Sequence, residues 1–150
     1  MTEYSSLGLS HTLRKVCMST ERVIVQRGIS EKLIAAVKAL CQDLKSGDVS
    51  NDSSVRLGAL FAESSAEGVL KMIQEAQADG AEVVLGDLKR EGAVLQPHLI
   101  KGVRPEMRLW ARESFGPGPL FFVHLCHSIL TLALQLPHLR LRIASTKLWN

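Results

Sequence analysis

The 150-residue sequence predicts an α/β fold, with short strands packed in layers against amphipathic helices. A β-branched run at residues 22–26 is followed by a helical apolar pattern, and a second helical pattern ends directly before another β-branched run at residues 81–85. Residues 22–100 supply only about three strands, and a sheet of that size needs further neighbouring elements to cover both of its faces. We therefore predict an incomplete domain.

The first strand and helix are predicted from a change of period. Residues 22–26, RVIVQ, have the β-branched density of a buried strand. Ser30 is a candidate N-cap and Gly47 stands just past the end of the following helical pattern. Its apolar positions repeat at helical spacing: Leu33, Ile34, Val37, Leu40, Cys41 and Leu44. Cys41 is thus expected to be a packed thiol.

The second helix is predicted to begin near Ser64, where Ser64 and Glu67 have the spacing of a capping box. Residues 45–54 before it form a polar surface connection. Gly80 is expected to end the helix, which buries Ala66, Val69, Leu70, Ile73 and Ala76. A strand follows at residues 81–85, and another at 94–100 is interrupted by Pro97.

Composition excludes several function classes. With 46% hydrophobic and 22% charged residues, the composition is that of a soluble globular protein. The net charge is only +3, and the sequence lacks the basic patch with interleaved aromatic residues that is typical of a nucleic-acid-binding protein. Three widely spaced cysteines without a signal peptide predict reduced thiols and a cytoplasmic location. No Cys-x-x-Cys pair is present, so no structural zinc site is expected.

The C-terminal segment changes character after Pro117. Residues 120–136 carry no formal charge over seventeen positions, near the lower limit for crossing a bilayer. Because this run contains two histidines and a glutamine, we favour a buried or misfit apolar segment over a membrane span. His124, Cys126 and His127 are interpreted as polar residues within apolar sequence, with a metal site as the less favoured alternative.

Two short motifs stand 96 positions apart, Cys17-Met18-Ser19-Thr20-Glu21-Arg22 before the first strand and Glu113-Ser114-Phe115-Gly116-Pro117. In their order and separation they resemble the motifs of the aldehyde dehydrogenase superfamily. The sequence CMSTERVIV at residues 17–25 resembles the branch of that superfamily that acts on aromatic aldehydes such as vanillin or salicylaldehyde. The resemblance implies a three-layer αβα catalytic domain. It also implies oxidation of a small-molecule aldehyde to a carboxylic acid with NAD or NADP.

The resemblance assigns roles to three residues. Cys17 matches the nucleophile that forms a thiohemiacetal and then a thioester, Glu113 matches the contact to the nicotinamide ribose, and Phe115 matches the ring beside the nicotinamide. Without the resemblance, Cys17 would be interpreted as a packed thiol, Glu113 as a solvated carboxylate and Phe115 as core. Glu21 and Arg22 are expected to form local ion pairs and to carry no chemistry.

The resemblance covers residues 17–117 and divides the chain into a non-family segment at 1–16, a partial catalytic domain at 17–117 and a divergent apolar and basic tail at 118–150. The family's general base and second oxyanion donor match no residue here. We therefore expect a catalytically incomplete fragment, with a tail read through an intron or in another frame. The alternative is a non-catalytic interaction fragment that pairs with itself or with a full-length relative.

Overall fold

A computed structural model describes residues 21–114 and the backbone of residues 121–126. The first strand, β1, is Arg22–Gln26, and it continues without a loop into helix α1, Arg27–Gln42. Helix α2 is Glu63–Ala78, and the short helix α3 is Arg108–Ala111. The remaining strands are β2 (Glu82–Leu85), β3 (Arg90–Glu91), β4 (Val94–Leu95), β5 (Leu99–Lys101) and β6 (Phe121–Cys126).

Four of these strands form a mixed sheet in the order β1-β6-β5-β2. Strand β6 lies between β1 and β5 and is parallel to both, whereas β2 pairs antiparallel with β5. Strands β3 and β4 form a separate two-stranded ribbon. Thus residues more than ninety positions apart in sequence become neighbours in one sheet, as in the pairing of Val23 with Val123.

The sheet is covered on both faces, which is the three-layer arrangement expected from the resemblance. Ile24 and Ile100 belong to a core cluster with α2 and α3, whereas Val25 and Leu99 belong to a second cluster with Ile34 of α1. Successive residues of a strand point to opposite faces of the sheet, so one residue of each pair packs in each of the two clusters. The predicted α/β class is confirmed for the described residues.

The helix boundaries correct three predicted signals for helix ends. Helix α1 begins at Arg27, so Ser30 is not its N-cap; the Ser30 hydroxyl instead donates to the Arg27 carbonyl oxygen at 2.8 Å. The helix ends at Gln42, well before Gly47. Helix α2 begins at Glu63 without a side-chain cap, so the predicted capping box is absent. Cap signals were overridden because tertiary contacts decide where a helix can begin.

Most of the predicted core pattern is confirmed. All five predicted core residues of α2 are buried, and Gly80 has the positive φ of +98° that ends that helix. On α1, Ile34 and Cys41 are buried, but Leu40 is 48% exposed. The predicted strand at 94–100 is divided at Gln96-Pro97-His98 into β4 and β5, which lie in different sheets.

His98, just before β5, is buried and held by both ring nitrogens. The Leu88 N–H donates to its Nε2 at 3.2 Å, and its Nδ1 lies 2.7 Å from the Gln96 carbonyl oxygen. A ring that accepts at Nε2 and donates from Nδ1 is neutral. Burial lowers the pKa of His98, opposed by the Gln96 hydrogen bond and by Asp87.

This neutral histidine predicts that the chain loses stability in mild acid. Because its pKa is lowered in the folded state, the unfolded state takes up the proton first as the pH falls below the ordinary value of about 6.5. Stability is therefore fully present above that pH and declines below it, by no more than about 1.4 kcal/mol per pH unit for one proton. Denaturant unfolding between about pH 5 and pH 8 measures the decline.

The matched control for this prediction is His98→Gln, which removes the titrating group. We expect the dependence of unfolding free energy on pH to flatten in that variant. An equally steep profile in His98→Gln would assign the acid sensitivity to other groups and contradict the prediction.

Candidate active site

The two motifs that stand far apart in sequence meet in the structure. The Ser114 hydroxyl donates to the Glu21 carboxylate at 3.0 Å, and the Ser114 backbone N–H donates to the same oxygen at 3.2 Å. One residue further along, the Arg22 guanidinium donates to the Arg112 carbonyl oxygen at 3.0 Å. The end of the first motif is thereby joined to the beginning of the second.

Helix α3 anchors the segment that leads into the second motif. Leu109 and Trp110 are buried in the same core cluster as α2, and Arg108 contacts the Glu75 carboxylate of α2 at 3.2 Å. The chain leaves α3 at Arg112 in an extended conformation, with φ −111° and ψ 144°. Residues 112–114 are thus held at one end by a buried helix and along their length by Glu21 and Arg22.

The predicted site residues fall partly within the described part of the chain. Glu113 is exposed, between exposed Arg112 and Ser114, which is only 9% exposed. An exposed carboxylate beside a fixed neighbour is available to accept hydrogen bonds from a ligand. Cys17 and Phe115 lie outside the described residues, so their assigned roles stay predictions.

Cys41 is the cysteine whose surroundings the structure describes. It is 1% exposed on α1, and burial raises the pKa of its thiol to about 11. The thiolate is the nucleophilic form of cysteine, and a thiol with that pKa is almost wholly protonated at neutral pH. The predicted packing role of Cys41 is confirmed.

The long-range roles of Glu21 and Arg22 were missed by sequence reasoning. They were expected to pair locally, yet both bond to residues about 90 positions away. The signal that could have found them is their place within the first motif, next to a strand start. The Arg112 carbonyl oxygen and the Ser114 N–H are backbone groups and leave no mark in sequence. The Ser114 hydroxyl is visible in the second motif, but no local pattern pairs it with Glu21.

Comparison with known proteins bears on this joined pair of motifs. Residues 11–124 match the model of the family described as "Aldehyde dehydrogenase family". This match covers more than half of the chain. The chain belongs to the aldehyde dehydrogenase family.

Relatives within the aldehyde dehydrogenase family include enzymes of aromatic aldehydes. A vanillin dehydrogenase of Pseudomonas fluorescens is 41% identical over 103 residues, which are 69% of this chain and 21% of that protein. The structure of a salicylaldehyde dehydrogenase from Pseudomonas putida G7 complexed with salicylaldehyde superposes with a TM-score of 0.72 at 26% identity, over 83% of this chain and 25% of that chain.

A further similar structure was solved with a bound cofactor. The NADP-dependent glyceraldehyde-3-phosphate dehydrogenase of Bacillus halodurans C-125, complexed with NADP, superposes with a TM-score of 0.70 at 28% identity, over 83% of this chain and 25% of that chain. The chain therefore spans about a quarter or less of the length of these relatives.

The aldehyde dehydrogenase match extends across both predicted boundaries, since it covers residues 11–124. Residues 121–126, assigned to the divergent tail, form a central strand of the sheet. The division at residues 16 and 117 itself stays a prediction. No helix within the described residues is long and apolar enough to cross a membrane. The side chains of His124, Cys126 and His127 lie outside what the structure describes.

Proposed function

We propose that this chain carries the nucleophile-bearing part of an NAD(P)-dependent aldehyde dehydrogenase. The observation that carries the proposal is the hydrogen-bonded junction between residues 21–22 and 112–114, which joins the motif containing Cys17 to the motif containing Glu113. The family match supports the same reaction class. An aromatic aldehyde is the proposed substrate, because the vanillin and salicylaldehyde dehydrogenases are among the similar proteins.

Cys17 has the proposed role of attacking nucleophile. A thiolate adds to the aldehyde carbonyl, the resulting thiohemiacetal loses hydride to become a thioester, and water then releases the carboxylic acid. The backbone N–H of Cys17 would donate to the oxyanion formed by the attack. Cys41 does not compete for this role, because burial keeps its thiol protonated.

Glu113 has the proposed role of cofactor contact. Its exposed carboxylate fits this task, since one carboxylate can accept hydrogen bonds from the two hydroxyls of a ribose. A bound nicotinamide cofactor would supply the acceptor for the hydride. Phe115 would pack beside the nicotinamide ring. The sequence contains no G-x-G-x-x-G or P-loop pattern to hold the phosphates, so these residues serve only one end of the cofactor.

The 150 residues by themselves are proposed to be catalytically inactive. The proposed location of the protein is the cytoplasm. No residue matches the family's general base or its second oxyanion donor. Loss of one oxyanion donor alone typically lowers the rate by about 100- to 1000-fold. We therefore expect no aldehyde-dependent formation of NAD(P)H by the purified chain.

The proposal is tested in a hybrid enzyme. Residues 11–124 of this chain would replace the corresponding segment of the full-length vanillin dehydrogenase of Pseudomonas fluorescens. We expect the hybrid to form NAD(P)H from vanillin, because the missing base, oxyanion donor and nucleotide-binding parts come from the recipient. The recipient without its own segment is the control.

A folded hybrid without activity would contradict the proposed function. Aldehyde-dependent NAD(P)H formation by the 150-residue chain itself, abolished by Cys17→Ser, would support the role of Cys17 and refute the inactivity of the chain. The interaction alternative makes a different prediction. A chain that acts by pairing with a full-length relative would do so equally well with Cys17→Ser.

A further inference from the structure

One carboxylate accepts several of the hydrogen bonds that join the two motifs. Glu21 accepts both the backbone N–H and the hydroxyl of Ser114, with the closer oxygen at 3.2 Å and 3.0 Å from these donors. Ser114 is buried at 9% exposure, while the adjacent Glu113 is exposed. The chain is thus fixed at Ser114, next to the carboxylate proposed to bind the cofactor.

This geometry fixes orientation as well as position. Two donors of one residue converge on one carboxylate, so Ser114 can neither rotate about its backbone nor turn its side chain without losing a bond. Hydrogen bonds to an ionised acceptor are roughly twice as strong as those between neutral groups. The Arg22 bond to the Arg112 carbonyl oxygen restrains the other side of Glu113.

We propose that Glu21 is a positioning residue that holds residues 112–114, and thereby Glu113, against the start of β1. The inference rests on the proposed function for the role of Glu113, but the restraint itself is a property of the chain. Glu21 acts through Ser114 in this role, since both of its carboxylate oxygens accept hydrogen bonds from that residue.

Amide hydrogen exchange on the full 150-residue chain tests the restraint. In Glu21→Ala we expect the Ser114 amide to exchange at least about 10-fold faster, while amides of α2 stay within about 2-fold of the parent. Glu21→Gln should rescue part of the protection, because its amide oxygen still accepts from the Ser114 N–H. Glu67→Ala, which removes an exposed carboxylate from α2, is the matched control and should change neither rate.

Two exchange results would overturn the inference. An unchanged Ser114 rate in Glu21→Ala would mean that the carboxylate does not restrain the segment. A uniform increase that includes α2 would mean that Glu21 contributes to global stability rather than to local positioning.

A kinetic readout in the hybrid enzyme separates positioning from folding. We expect Glu21→Ala to raise the KM for NAD(P) at least about 5-fold with a smaller change in kcat. The reason is that displacement of Glu113 weakens cofactor binding more than it slows the chemical step. An unchanged KM would overturn the positioning role. If the unsubstituted hybrid is inactive, the proposed function fails, and the exchange rates alone then decide whether Glu21 holds the segment.

Discussion

Replacing Cys17 by Ser in the hybrid enzyme is expected to lower kcat by at least about 10³-fold, the scale of loss seen when an enzyme loses its nucleophile. A hydroxyl is a poor nucleophile at neutral pH without a base dedicated to it, whereas a thiol is partly ionised there. The measurement is steady-state NAD(P)H formation from vanillin. Binding of NAD(P), measured by fluorescence titration, should change little.

The matched control is a substitution of the second cysteine, Cys41→Ala. Because Cys41 is 1% exposed and its thiol is held protonated, its loss should leave kcat within about 2-fold of the parent while lowering stability modestly. If Cys17→Ser retained activity and Cys41→Ala abolished it in a folded enzyme, the nucleophile would have been assigned to the wrong cysteine.

Gly86→Ala is expected to lower the stability of the chain strongly. Gly86 has φ +119°, which L side chains rarely adopt, and a Cβ there would lie 2.2 Å from His98 Cδ2. The His98 ring cannot move aside cheaply, because both of its nitrogens are engaged. Backbone strain and overpacking together should cost about 3 kcal/mol or more, measured by denaturant unfolding.

Two further variants test the cause of that loss. Gly68→Ala, within α2, meets nothing within 4 Å and should raise stability by about 0.5–1 kcal/mol. Gly86→Ala should cost clearly less in a His98→Ala background, where the clashing ring is gone. An equal cost in both backgrounds would show that the clash with the ring is not responsible.

The positions of β1, α1, α2 and β2 could be predicted because they depend on local periodicity. The β-branched run of β1 and the apolar stripe of α2 each carry a pattern that only one backbone geometry satisfies. Helix caps were predicted less well, as Ser30 and Ser64 show, because a serine within a helix looks the same in sequence as a serine at its start.

The strand at residues 121–126 shows a different limit. Its apolar composition indicated burial, but the same composition suits a buried strand, a core helix or a short membrane segment. Its place between β1 and β5 depends on hydrogen bonds to strands that are distant in sequence. No local pattern specifies those partners.

The sequence by itself determined the family resemblance, the α/β class and the identity of Cys17, Glu113 and Phe115 as candidates, because these depend on residue type and spacing. Only the tertiary structure decided that Glu21 and Arg22 join the two motifs, and that His98 requires glycine at position 86. The physical reason is that these contacts join backbone groups, a serine hydroxyl and a packed ring that are distant in sequence. They depend on where the folded chain passes and not on which residues are neighbours in sequence.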